Sequence, residues 1–223
     1  MPTTASSNSA PEEHAAPSAA DLLLAEFIHR SANDFAVASA EINIASRERS
    51  LAAVHQRLEI TAARLNALAS IQRILQPPRA ATVDLGSALC DLCARQAEAR
   101  FVDREAFIRL RTCEALVDAG RGLAFLMIVS ELLTNAARHA FSRPGGLVQI
   151  DMTRTGDNIL CRIADNGDGM PSHATVKRSG TRIVASLARL SDIEFVMVPG
   201  ETGSRFELSF CCSGSSTPVA RSL

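Results

Sequence analysis

The chain has 223 residues, 47% of them hydrophobic, and a formal net charge of −1. That length holds one ordinary domain plus a smaller one, and the near-zero charge gives no electrostatic basis for nucleic-acid binding. No apolar run approaches the ~20 residues that span a bilayer, and no basic region followed by an apolar stretch opens the chain, so neither a membrane span nor a signal peptide is predicted and the protein is expected in the cytoplasm.

Residues 1–17 carry almost no large apolar side chain and are expected to be disordered, because they cannot offset the cost of ordering. An apolar seam then runs Leu24, Ile28, Ser31, Phe35, Ala38, Ile42, Ala45 in alternating steps of four and three, a heptad register that predicts a helix. A charged break, SRERS, ends it near Ser50. The second helix carries Leu51, Val54, Leu58, Thr61, Leu65, Leu68, Gln72 and Leu75, until Pro77-Pro78 stops it. Two such helices cannot enclose a core alone. The hairpin over 18–78 is therefore expected to pair with a second copy as a four-helix bundle, making a homodimer.

Residues 79–212 change to mixed α and β. A helix is predicted in VDLGSALCDLCARQAEA, a strand in AFIRLRT, and a helix through Glu131. LVQIDMTR and NILCRIAD, separated by a TGDN turn, predict a strand hairpin. A loop, PSHATVKRSG, leads to a helix from Thr181 to Leu190 and to strands IEFVMV and SRFELSF around a PGETG turn. This order suggests a two-layer α/β sandwich with an antiparallel-rich sheet, followed by a loose tail over 213–223. Six cysteines, at 90, 93, 113, 161, 211 and 212, read as reduced, mostly buried thiols. Cys90-x-x-Cys93 lies in a helical pattern with no second pair, which predicts packing rather than metal or redox use.

Three stretches carry chemistry. Through ELLTNAARHAF and the residues just before it, Leu126, Val129, Leu133, Ala136 and Ala140 form one apolar stripe. Glu131, Asn135 and Arg138 follow i, i+4, i+7 on another face, within about 11 Å by helical rise. A carboxylate, a carboxamide and a guanidinium so placed suit a divalent metal and a phosphate. In DNGDGMP, Asp165 ends a strand, and Gly167 and Gly169 permit conformations closed to other residues and a close approach to a ligand. Upstream, EFIHRSANDF places His29 at the edge of the hairpin seam, with Glu26 and Asn33 at neighbouring helical positions. A neutral imidazole, with an unperturbed pKa of ~6.5, is a good nucleophile at neutral pH.

Together these stretches resemble the core of a bacterial sensor histidine kinase of the HWE-type or a close relative, over about residues 18–212. His29-Arg30-x-x-Asn33 resembles the phosphoacceptor box HRxxN, and ARLNALASIQRIL the end of the second helix. ELLTNAARHAF resembles the N box of the ATP-binding fold shared by histidine kinases, Hsp90, gyrase and MutL, and DNGDGMP its first glycine box. The resemblance implies a dimeric phosphoacceptor hairpin over 18–78 and an ATP-binding domain over 79–212. It implies Asn135 as the Mg ligand, Glu131 as a polarising or metal-side carboxylate, Arg138 and His139 near the phosphates, and Asp165 as acceptor for the adenine amino group. Gly167 and Gly169 would shape the pocket. Gly203-Ser204-Arg205-Phe206 resembles the last glycine box.

The second glycine box departs from its usual GLGL: the aligned run is Arg178-Ser179-Gly180-Thr181, where Lys177 and Arg178 offer cations in place of a glycine. The tryptophan that helps name the HWE group is absent from the chain. The resemblance implies phosphoryl transfer from ATP to His29 and then to an aspartate on a response-regulator receiver domain. The input is expected from a separate sensor or a longer form. The alternative is a histidine phosphotransferase or scaffold with a degenerate ATP-binding domain. An anti-sigma-type serine kinase of the same fold would not need the His29 hairpin.

Overall fold

The computed structural model describes residues 19–169, 179–199 and 202–212, so the expected loose ends at 1–17 and 213–223 lie outside the described residues. Helices α1 (Ala19–Ala45) and α2 (Leu51–Ile74) run antiparallel, with Arg57 Nε donating to Glu48 Oε1 (2.8 Å) and Thr61 Oγ1 donating to Glu41 Oε2 (3.0 Å). α2 closes at Leu75, whose N–H bonds the Ile71 carbonyl just ahead of the two prolines.

The predicted seam divides in two. Ala38 and Ala45 are buried, as is Thr61 on α2, while Ile28, Phe35 and Ile42 are exposed at seven-residue steps, and so are Leu51 and Leu58. Small side chains let the two helices approach closely, and the large ones of the same heptad are left on the outside of the hairpin.

The second unit begins with β1 (Thr82–Asp84) and α3 (Leu85–Gln96). Then come β2 (Ala106–Arg111), β3 (Leu116–Asp118), α4 (Ala119–His139), β4 (Gly146–Thr155) and β5 (Asn158–Asp165). α5 (Ser179–Leu190), β6 (Glu194–Val198) and β7 (Arg205–Cys211) complete it. One five-stranded sheet has the order β2-β4-β5-β7-β6; β2 and β4 are parallel and the other pairs antiparallel. A parallel pair needs a long crossover, and α4 supplies it.

β1 and β3 pair as a separate ribbon that the sequence reading lacks, since three residues each are too few for an alternation to register. The ribbon nevertheless has a clear anchor in Asp84. Its Oδ2 caps α3, accepting from the Ser87 hydroxyl (2.5 Å) and N–H (3.2 Å), and its Oδ1 accepts from Ala115 N–H (3.1 Å). The Ser87 hydroxyl, followed by the Ala115 N–H, holds this carboxyl below the usual carboxylate range. Where one continuous helix was expected through Ala99, α3 instead runs into a π turn (Ala97–Phe101) and a 3₁₀ turn (Val102–Arg104).

Inward residues at period two, Val148, Ile150 and Met152 on β4, Ile159, Cys161 and Ile163 on β5, and Phe206, Leu208 and Phe210 on β7, form the sheet side of the core. α4 is the middle of the helical layer. It packs against α3, α5, β1 and β3, and its Phe125 ring meets Phe210 at 5.8 Å. The arrangement is the expected two-layer sandwich beside a helical hairpin. Cys93 is buried, which pushes its thiol up to about 12, and Cys161 is buried too, but Cys90 and Cys211 are exposed and Cys113 and Cys212 only half-buried, so the thiols are not mostly buried as expected. Among the described residues no helix is long and apolar enough to cross a membrane.

Removing the fully buried Leu133 side chain leaves a cavity among α4's neighbours. Leu133→Ala is expected to cost about 2–5 kcal/mol in a urea titration. Phe107→Ala, at a position 69% exposed on an edge strand, should change stability by under about 0.5 kcal/mol.

Candidate functional site

The site is built where α4 ends. The last carbonyls of a helix have no partner within it, and here the Ala140 carbonyl accepts the N–H of Asp168 (2.8 Å). Asp168 answers with its carboxylate, Oδ2 accepting the N–H of Ser142 just past the helix (3.2 Å). Gly167 lies so close to this helix end that a Cβ on it would stand 2.1 Å from the Ala140 oxygen. Only a residue without a side chain fits between them.

Asp165 fastens the other side of the same loop. Its N–H donates to the Ser204 carbonyl (3.0 Å), and its Oδ1 accepts from the N–H of Gly167 (3.0 Å) and of Ser204 (3.2 Å). Gly203 has φ +66°, and a Cβ there would stand 1.8 Å from the Asp165 carbonyl oxygen, so glycine is required on both counts. Asn166 ties the loop to β4: Oδ1 accepts Leu147 N–H (2.7 Å), and its own N–H reaches Leu147 O (3.1 Å). The sequence reading missed Asn166, Asp168 and Ser142, although the first two sit inside the motif it singled out. Ser204 contributes through its backbone.

The polar residues of α4 separate by depth. Glu131 is only 3% exposed, buried like the apolar stripe, whereas Asn135 and Arg138 are half-buried and His139 is exposed. Their spacing is as read, but Glu131 lies in a stretch of α4, 128–134, that is buried at every position. Next to it Gln96 Nε2 donates to Ser130 Oγ (2.9 Å) and Thr134 Oγ1 to Ser130 O (2.8 Å), a buried polar lining for this segment.

Arg138 opens into a cleft of about 200 Å³ that α1 also lines, through Asn33 and Asp34, with Arg100 and Ala137 between them. The two motifs, a hundred residues apart in sequence, share this cleft. His29 and Glu26 lie on α1 one to two turns before Asn33, and their side chains are outside the described residues. Gly180 and Thr181 lie in the first turn of α5, which packs against both α4 and α1. Lys177, Arg178 and Met170 lie outside the described residues.

The donors present fit a metal nucleotide rather than a bare ion. Among the described residues no three His, Cys, Asp or Glu side chains converge. Asn135, half-buried on α4, offers a single neutral oxygen, the sparse protein contribution that suits Mg when phosphates supply the remaining ligands. Beside the Asp165 carboxylate the Gly203 backbone passes so close that a Cβ on it would stand 3.0 Å from Oδ1.

The loop hydrogen bonds predict a specific pair of stabilities. Asp165→Ala removes the acceptor for two N–H groups and is expected to cost about 1–3 kcal/mol by chemical denaturation. Asp165→Asn keeps an oxygen in the same position and should stay within about 1 kcal/mol of the unmodified chain.

Residues 120–213 match the family described as histidine kinase-, DNA gyrase B-, and HSP90-like ATPase. Blue-light-activated histidine kinase 2 of Erythrobacter litoralis is 32% identical over 99 residues, 42% of this chain and 29% of that protein. Sensor histidine kinase PdtaS of Mycobacterium tuberculosis is 25% identical over 172 residues, 75% of this chain and 34% of that protein. The chain thus spans about a third of the length of these curated relatives. Two solved structures share its fold. The histidine kinase domain of an Erythrobacter litoralis blue-light activated histidine kinase has a TM-score of 0.56 at 20% identity, covering 81% of this chain and 94% of that one. A bacterial phosphotransferase has a TM-score of 0.62 at 13% identity, covering 85% and 95%. With the glycine loop joined to the end of α4 as described, and with a hairpin docked beside them, the chain is similar to sensor histidine kinases, and its residues 120–213 match the histidine kinase-, DNA gyrase B- and HSP90-like ATPases.

Proposed function

We propose that the protein is an ATP-dependent protein-histidine kinase of the HWE-type or a near relative, which phosphorylates His29 and passes the group to an aspartate of a response-regulator receiver domain. The observation that carries the reading is the cleft in which Asn33 and Asp34 of the acceptor helix meet Ala137 and Arg138 of the N-box helix. The hairpin over 18–78 serves as the dimerisation and acceptor unit, and 79–212 as the ATP-binding unit.

In this reading the Asp165 Oδ1 is committed to the backbone of its own loop, and the second carboxylate oxygen accepts the adenine amino group. Arg138 and His139 lie toward the phosphates. Asn135 would hold Mg, which supplies neutralisation of charge on the triphosphate. The unprotonated nitrogen of the His29 imidazole forms the new bond to the γ-phosphorus. The bond from that phosphorus to the bridging oxygen breaks with its electron pair, and ADP leaves. Glu26 is a candidate acceptor for the proton on the other ring nitrogen. Catalysis then rests on positioning and charge neutralisation rather than on covalent chemistry by the domain.

A second reading, a phosphotransfer module or scaffold that relays phosphate without using ATP, is favoured by Arg178 where the second glycine box has a glycine. The intact loop from Asp165 to Gly169 favours the kinase, because its glycines are kept at positions where a side chain would collide with the backbone.

With magnesium and γ-labelled ATP the purified protein is expected to acquire acid-labile, alkali-stable label. His29→Ala and Asn135→Ala should each abolish it without unfolding the chain. Label that survives His29→Ala would remove His29 as acceptor, and an unmodified protein that neither labels nor binds ATP would favour the scaffold.

The outward row Ile28, Phe35, Ile42, Leu51 and Leu58 is the surface proposed to pair with a second copy. Phe35→Glu with Ile42→Glu should convert the dimer to a monomer in light scattering. A dimer that survives both charges would refute this face.

A further inference from the structure

The hairpin is fastened to the ATP-binding unit of its own chain by two ion-pair clusters that no motif predicts. Arg100, in the π turn after α3, forks onto Asp34 of α1, Nη1 to Oδ1 and Nη2 to Oδ2, both at 2.9 Å. Each side chain is only 15% exposed. Further along, Arg64 of α2 pairs with Glu41 of α1 and with Asp103 of the 3₁₀ turn, and its Nε donates to the Ala99 carbonyl (3.0 Å). One cluster therefore holds α2 on the π turn, and the other holds α1 there.

Asp34 stands five residues after His29, so the fork fixes α1 about 7.5 Å along its axis from the acceptor position. Both residues of the fork line the cleft shared with Arg138, and α1 also packs on α5, whose first turn holds Gly180 and Thr181. The connection from α2 to β1 is residues 75–81, which reach at most about 25 Å when extended. Pro77 and Pro78 stiffen it further.

We infer that Asp34 and Arg100 are positioning residues that seat the acceptor helix over the ATP pocket of the same chain, so that phosphoryl transfer to His29 occurs within one subunit. This rests on the kinase reading above. Neither residue touches nucleotide in this account; they set where the imidazole is delivered. A planar fork between partly desolvated groups defines position and orientation together, which a single-contact pair does not.

Two measurements on the full-length chain test it. Coexpressed His29→Ala and Asn135→Ala subunits form mixed dimers in which the intact acceptor and the intact pocket lie on different chains, and these should remain unlabelled by γ-labelled ATP. Asp34→Asn, which keeps the shape, and Arg100→Asp should lower the labelling rate by roughly a hundredfold, as misplacement of a reacting group does, with the KM for ATP little changed. Asp34→Arg combined with Arg100→Asp should recover most of that loss, which a merely unfolded hairpin would not. Labelled mixed dimers would overturn transfer within one subunit, and unchanged rates in the single variants would overturn the positioning role. An unmodified protein that fails to label would remove the kinase reading and this inference with it, whereas a labelling protein with labelled mixed dimers would remove this inference alone.

Discussion

The contact between Gly167 and the Ala140 carbonyl is the constraint on which the rest of the site depends. It brings the glycine loop against the open end of α4, and the Asp168 N–H and carboxylate then close the helix end from outside. Asp165 and Asn166 extend the same loop to the start of β7 and the start of β4. Four loop residues, Asp165 to Asp168, thus join the helical layer to two strands of the sheet. Each bond is worth only about 0.5–1.5 kcal/mol net, but they act on one short segment, so the pocket wall is ordered before any ligand arrives. A preordered wall spares a ligand the entropy of ordering it.

Around that wall the hairpin contributes location rather than much stability. Partly buried ion pairs lose hydration as they form, and the Coulombic return on them often does little more than offset that loss. What Arg100 with Asp34, and Arg64 with its two carboxylates, do supply is a single docking geometry. The distribution of side-chain size along α1 agrees with this. Ala38 and Ala45 face inward and let α2 lie close, while Ile28, Phe35 and Ile42 remain outside for another surface.

Much of this was legible in the sequence, for reasons that depend on residue type. α4 and the two hairpins declare themselves by period, and Asp165 to Gly169 by glycines that have little other reason to cluster. The sandwich follows from the order of elements. What stayed hidden is tertiary. The i, i+4, i+7 spacing of Glu131, Asn135 and Arg138 carries no information about which of the three α3 and the sheet will cover, and Glu131 proves to be the buried one. β1 and β3 are too short to show a pattern, and the π turn arises where α3 must meet α2 rather than from any local propensity. Asp34 lay in plain view, immediately after the HRxxN run, but its partner is 66 residues away.

The central claim is that the acceptor helix and the ATP pocket act on each other, and the most direct measurement is mass spectrometry of the peptide carrying His29 after incubation with magnesium and ATP at neutral or alkaline pH. The account predicts a phosphoryl group on that imidazole. An unmodified His29 peptide in a protein that binds ATP, or a phosphoryl group found instead on a serine or threonine, would contradict it.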